Sequence, residues 1–148
     1  MADIRHRVGI AAPQEQVYEA LSTVDGLSEW WTREVDGDAT SGGALRFFFG
    51  RPEPGAVMAV DETTPGDRVV WRCVEGPDDW VGTKLVFELK ASEGETILLF
   101  AHEDWSEPTE FMSHCSTKWG YFLLGLKAGL EGGEATPYPG EVKISSWG

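Results

Sequence analysis

Apolar and polar positions alternate at the start of the chain: Ile4, His6, Val8 and Ile10 stand against Arg5, Arg7 and Gly9. This is the period-two signature of a strand with one buried face. The period then changes. Pro13 suits the first turn of a helix, and Val17, Ala20, Leu21 and Val24 follow at helical spacing, with Asp25-Gly26 expected to end the run, so a short helix is predicted over about 13–23. Leu27-Ser28-Glu29-Trp30-Trp31 is too brief to be helical alone, and its two adjacent indoles are expected to cover an opening.

Five further runs have strand character, at about 44–49, 56–63, 68–75, 82–91 and 96–104, with a weaker one near 34–39. Gly, Pro and Asp punctuate them, as in Thr64-Pro65-Gly66-Asp67 and Gly76-Pro77-Asp78-Asp79, which predicts a meander of antiparallel hairpins. In the clearest run Leu85, Phe87 and Leu89 alternate with Lys84, Glu88 and Lys90. From Ser106 the period is helical again: Phe111, Met112, Cys115, Trp119, Phe122, Leu123, Leu126 and Leu130 form one aromatic-rich stripe. Ser106 is the expected cap, Pro108 the first turn, and Gly132-Gly133 the stop, giving about 24 residues, or roughly 36 Å. Beyond lies a non-helical exit, Thr136-Pro137-Tyr138-Pro139-Gly140, with Val142 and Ile144 as a short edge strand. The expected fold is α+β: a curved antiparallel sheet of six to seven strands around a long C-terminal helix, with two short helices after the first strand. Residues 1–136 form one domain and 137–148 a C-terminal tail. A sheet curved around one helix leaves a pocket between them.

Composition narrows the function. At 148 residues one core is expected. No apolar stretch approaches the roughly 20 residues a membrane helix needs, and Met1 to His6 run straight into the first strand, so a cytoplasmic protein without membrane insertion is expected. The formal charge of −13 repels phosphate backbones, which argues against nucleic acid. Cys73 and Cys115 lie in apolar surroundings without CxxC spacing and read as reduced core thiols.

Several segments taken in order carry a family likeness: Ala12-Pro13-Gln14-Glu15-Gln16-Val17-Tyr18-Glu19-Ala20-Leu21, Trp30-Trp31, Pro65-Gly66-Asp67-Arg68-Val69-Val70-Trp71, Ala101-His102-Glu103-Asp104, and Trp119 with Leu126-Lys127 and Leu130-Glu131. Over Ile4 to Pro137 the chain resembles the START-like, or SRPBCC, helix-grip superfamily, and within it the homologues of the heat-shock-protein-90 ATPase activator. The resemblance implies the fold but not one chemistry, since lipid carriers, receptors, cyclases and co-chaperone domains share it.

By the parity of the matching strands, Leu45, Phe47 and Phe49, then Val69, Trp71 and Cys73, then Leu85, Phe87 and Leu89, then Leu98, Phe100 and His102 face the helix, while Arg46 and Arg72 face away. With Trp30, Trp31, Phe111, Cys115, Trp119 and Phe122 these give the candidate ligand-binding wall: Trp30, Trp31, Phe47, Phe49, Trp71, Phe87, Phe100, His102, Phe111, Cys115, Trp119 and Phe122. The expected function is binding or carriage of a small hydrophobic or aromatic molecule, with a protein partner or a homodimer as one alternative. A cyclase or hydrolase with His102 as general base is another, and it would need more polar groups than His102, Cys115, Tyr18 and Tyr121 supply. No cofactor or metal is expected: Glu103 points away from its strand neighbours, and the glycine doublets lack phosphate-loop spacing. His114 is about 100° around the helix from Cys115, so the two cannot pair, and it is expected to face solvent.

Overall fold

A computed structural model describes all of residues 1–148. Seven strands form one antiparallel sheet: β1 (Ala2–Ile10), β2 (Val35–Gly37), β3 (Ala44–Phe47), β4 (Ala56–Thr64), β5 (Arg68–Glu75), β6 (Lys84–Ser92) and β7 (Glu95–Trp105). Their spatial order is β1-β7-β6-β5-β4-β3-β2, a meander from β2 to β7 with β1 added beside β7. Two short helices, α1 (Gln14–Ser22) and α2 (Val24–Trp30), lie between β1 and β2, and α3 (Glu110–Leu130) closes the concave face. Register shifts between Val57 and Met58 and between Val60 and Glu62 bend β4, as extra residues in one strand of a pair do.

Strand parity follows the alternating pattern. Register aligns Trp71 with Leu85, Leu85 with His102 and His102 with Ile4, and in the next inward row Val69, Phe87, Phe100 and His6. All except His6 are buried. Arg46 and Arg72 project outward and pair with Asp36 (2.6 Å) and Asp61 (3.4 Å). The convex face has its own small apolar cluster, Val70, Val86 and Ala101.

Several local expectations are corrected. Asp25-Gly26 does not end a helix but forms the first turn of α2: extended Thr23 separates the two helices, and its hydroxyl accepts from the Gly26 N–H (2.9 Å). The cap of α3 is Thr109, which accepts from the Met112 N–H (3.2 Å), so α3 has 21 residues rather than 24. Trp105, 1% exposed, extends β7 and carries Ser106 away from the capping position. β3 stops at Phe47, and β6 begins only at Lys84 because Trp80 and Thr83 occupy a turn after β5. At the far end Gly132 has φ +93°, and the Gly133 N–H reaches the Ala128 carbonyl (2.8 Å), the left-handed stop that the glycine doublet predicts.

Val142 and Ile144 form no edge strand. The chain instead returns over α3: Tyr138 bridges Thr32 in parallel, its N–H donating to the Trp31 carbonyl (2.9 Å) and its carbonyl accepting from the Arg33 N–H (3.1 Å). At β1, α3 is tied by Lys127 Nζ donating to the Gly9 carbonyl (2.6 Å) and by a His6 to Ser116 contact (3.1 Å). The free edges of the sheet are β1 and the three-residue β2.

Candidate functional site

The interior aromatics form one continuous contact network. Trp31, at the end of α2, lies 4.3 Å from Phe47 and 4.8 Å from Trp119 between ring centroids, and Trp71 continues the chain to Phe87 (4.9 Å) and Phe100 (5.3 Å). Offset and edge-on contacts of this kind add to the burial of the rings.

His102 is the polar member of that interior and is completely buried. The Trp119 indole N–H donates to Nδ1 (3.2 Å), which leaves the ring proton on Nε2, directed to Thr83 Oγ1 (2.8 Å). The Thr83 hydroxyl in turn donates a hydrogen bond to the Trp80 carbonyl (2.5 Å). Burial pushes the His102 pKa down to about 3, so the imidazole is neutral. Both nitrogens are engaged, and the ring positions Trp119 and Thr83 rather than meeting a cavity.

Beside this network a cavity of about 340 Å³ opens between the N-terminal half of α3 and the returning C-terminal segment. Trp31, Phe49 and Trp80 form its floor; α3 contributes Phe111, His114, Cys115, Lys118, Trp119 and Phe122; the C-terminal segment contributes Tyr138, Glu141, Lys143 and Trp147. The structure thus brings together Trp31, Phe49, Phe111, Cys115, Trp119 and Phe122 of the residues expected from sequence. It leaves Trp30, Phe47, Trp71, Phe87, Phe100 and His102 outside the cavity, in the packed core. Trp30 does not cover this cavity: its N–H donates to the Ala20 carbonyl (2.9 Å), and the segment lying across the cavity is 138–148.

His114 does not face open solvent, because Trp147 lies over it (5.7 Å) and over Phe111 (6.3 Å). Partial burial and the nearby Lys118 charge hold its pKa below the usual histidine range. Burial raises the Cys115 thiol to about 12; the neighbouring Trp80 indole offsets part of the rise, and Asp79 adds to it. Cys73 is raised to about 11, also by burial. Neither thiol is a thiolate near neutrality.

Lys118 is the cation of the cavity. It pairs with Glu141 Oε2 (3.5 Å), donates to the Val142 carbonyl (3.2 Å) and lies 5.5 Å from the centre of the Phe122 ring. It thereby fastens the C-terminal segment to α3. A larger groove of about 600 Å³ separates α1 and α2 from the C-terminal half of α3. Its rim is acidic, with Glu19, Asp25, Glu29 and Glu134, and Trp30 is its one residue from the expected wall, so the smaller aromatic cavity is the candidate site. No three His, Cys, Asp or Glu side chains are placed to hold a metal ion, and no helix is long and apolar enough to cross a membrane.

Sequence reasoning missed Trp80, Lys118, Tyr138, Glu141, Lys143 and Trp147. Large aromatics in otherwise polar connections were the available signal, because an indole or phenol ring in a loop finds a surface to cover.

Comparison with known proteins bears out the architecture. The Aha1 dimer from Colwellia psychrerythraea, solved in solution, is 40% identical, with a TM-score of 0.80 over 90% of this chain and 98% of that one. Protein SSP2350 from Staphylococcus saprophyticus (16% identity, TM-score 0.75, 90% of this chain and 95% of that one) shares the fold. So does DynU16, a putative protein in the dynemicin biosynthetic locus (23%, 0.75, 92% of this chain and 49% of that one). No curated protein matches the chain. The family model described as "Activator of Hsp90 ATPase homolog 1-like protein" matches residues 11–131, and with the helix-grip architecture this makes the chain a member of that family.

Proposed function

We propose that the chain binds a small, flat, largely apolar molecule in the cavity between α3 and the segment 138–148, as a carrier or a sensor. One observation supports this above others: a cavity of about 340 Å³ walled by eight aromatic rings outside the histidine, held under a segment anchored at Tyr138 and Lys118. That volume is at the lower end of small-molecule sites, the size of a two- or three-ring compound. Residues 1–136 are read as the folding unit and 137–148 as its strap, in a protein that works in the cytoplasm.

The test is calorimetric titration of the purified protein with two- and three-ring aromatics and with fatty acids. Saturable binding of the aromatics is expected. Its absence across the panel would remove the reading.

A second reading, association with a protein partner or a second copy, is favoured by the relative from Colwellia psychrerythraea, which is a dimer, and by the exposure of Leu124, Val142 and Trp147 on this chain. Light scattering across a concentration series tests it. A mass that stays at 16.3 kDa would exclude the homodimer.

A further inference from the structure

Glu141 is a carboxylate turned inward from the strap, its side chain 6% exposed. Oε2 takes the Lys118 ammonium, while Oε1 is buried at the cavity wall and has no hydrogen-bond partner. A second buried atom on the same cavity wall, the Trp80 indole nitrogen, has only the weakly accepting Cys115 sulfur beside it. The first can only accept a hydrogen bond and the second can only donate one. Buried polar groups are usually satisfied because leaving them bare is costly, most of all when they are charged.

Two donors of the cavity wall are already committed. Lys118 is shared among Glu141, the Val142 carbonyl and the Phe122 ring, and the Trp119 N–H belongs to His102. Resting on the reading that this cavity holds a flat apolar molecule, we propose that its ligand is a neutral planar aromatic bearing a hydroxyl or amino group that donates to Glu141 Oε1. Glu141 is then the specificity-determining residue. Aromatic carboxylic acids and fatty acids bind poorly, because they place a second anion against it; the exposed Lys143 at the rim is too well hydrated to compensate.

Calorimetric titration with naphthalene, 2-naphthol and 2-naphthoate at pH 7 separates the possibilities. 2-Naphthol is expected to bind about tenfold or more tighter than naphthalene, the scale of a hydrogen bond to a charged acceptor, and 2-naphthoate weakest. In Glu141→Ala the naphthol advantage should fall to within about twofold while naphthalene binding persists, and in Lys118→Ala, which keeps the carboxylate and leaves the strap's Tyr138 anchor in place, the advantage should survive. Equal affinities of naphthalene and naphthol for the native protein would overturn the donor requirement and leave the apolar cavity standing. So would tighter binding of 2-naphthoate, which would make the lysines the readers, or loss of the naphthol advantage in Lys118→Ala with its retention in Glu141→Ala. Failure of all three compounds to bind would overturn both this inference and the reading beneath it.

Discussion

Two aromatic regions meet along α3, and they are built differently. Around Trp71, Phe87, Phe100 and His102 every ring is buried, the histidine uses both nitrogens, and strand register sets each neighbour. Around Phe111, His114 and Trp147 the rings are partly exposed, the covering segment is held by one backbone bridge at Tyr138 and by Lys118, and a carboxylate oxygen is left without a partner. The first region has the packing of a folding core, with one unpaired donor, the Trp105 indole, beside His102. The second has the open volume and unpaired polar atoms of a binding site. An aromatic side chain therefore contributes to stability or to recognition according to what lies across from it.

Substitutions on each side should separate those contributions. Trp71→Ala removes a ring packed on Trp31, Phe47 and Phe87, and a loss of about 3–5 kcal/mol in denaturant unfolding is expected. Phe111→Ala, at the cavity wall, should cost less than about 1 kcal/mol. Equal losses would make the two regions a single core.

Trp119 belongs to both, since it holds His102 and lines the cavity. Trp119→Ala should weaken binding of an aromatic ligand by about 1–3 kcal/mol in calorimetry, and an unchanged affinity would assign the ring to the core alone.

The buried His102 gives the interior a pH signature. Its folded pKa, near 3, is below the unfolded value of 6.5, so below about pH 6.5 the unfolded chain binds a proton that the folded chain refuses. This term contributes no loss above pH 6.5 and destabilises by about 1.4 kcal/mol per pH unit as acidity increases towards pH 3. Unfolding midpoints measured from pH 7 to pH 4 should fall less steeply in His102→Gln than in the native protein. Identical slopes would refute the burial of a neutral ring.

The smallest effect is expected at the strap. Replacing Lys118 and Glu141 together by Ala, so that neither charge is left buried alone, should change stability by about 1 kcal/mol or less, yet it should sharpen the Trp147 indole resonance as the segment loosens. A resonance unmoved by that substitution would mean Trp147 alone holds the strap down.

Much of the interior region was legible in the sequence. Leu85, Phe87 and Leu89 alternate with charged residues, and a single parity carries that assignment across neighbouring strands, because register in a half-buried sheet is locked by its apolar face. The cavity was legible on the α3 side, where Phe111, Cys115, Trp119 and Phe122 repeat at helical spacing. Its other wall was not, since residues 138–148 have no period and find their place through contacts with Thr32 and Lys118, which are distant in sequence. His114 was misread for the same reason: the helix pattern puts it on the outer face, and only the return of Trp147 covers it. Ser106 and Thr109 are equally good caps by composition, and the burial of Trp105 decides between them.

The ends of the sheet have a consequence of another kind. An unpaired strand edge is a template on which another chain can add, the first step towards fibrous aggregates. Here β2 offers only three residues, with Gly37 in a left-handed conformation at its end. β1 carries exposed Arg5 and Arg7 and has its Gly9 carbonyl occupied by Lys127. A strand arriving from another molecule thus meets either too short a ladder or an edge lined by charged side chains, Arg7 and the Arg5 pair with Asp3 and Glu103, and the open, curved sheet can resist such addition without closing into a barrel.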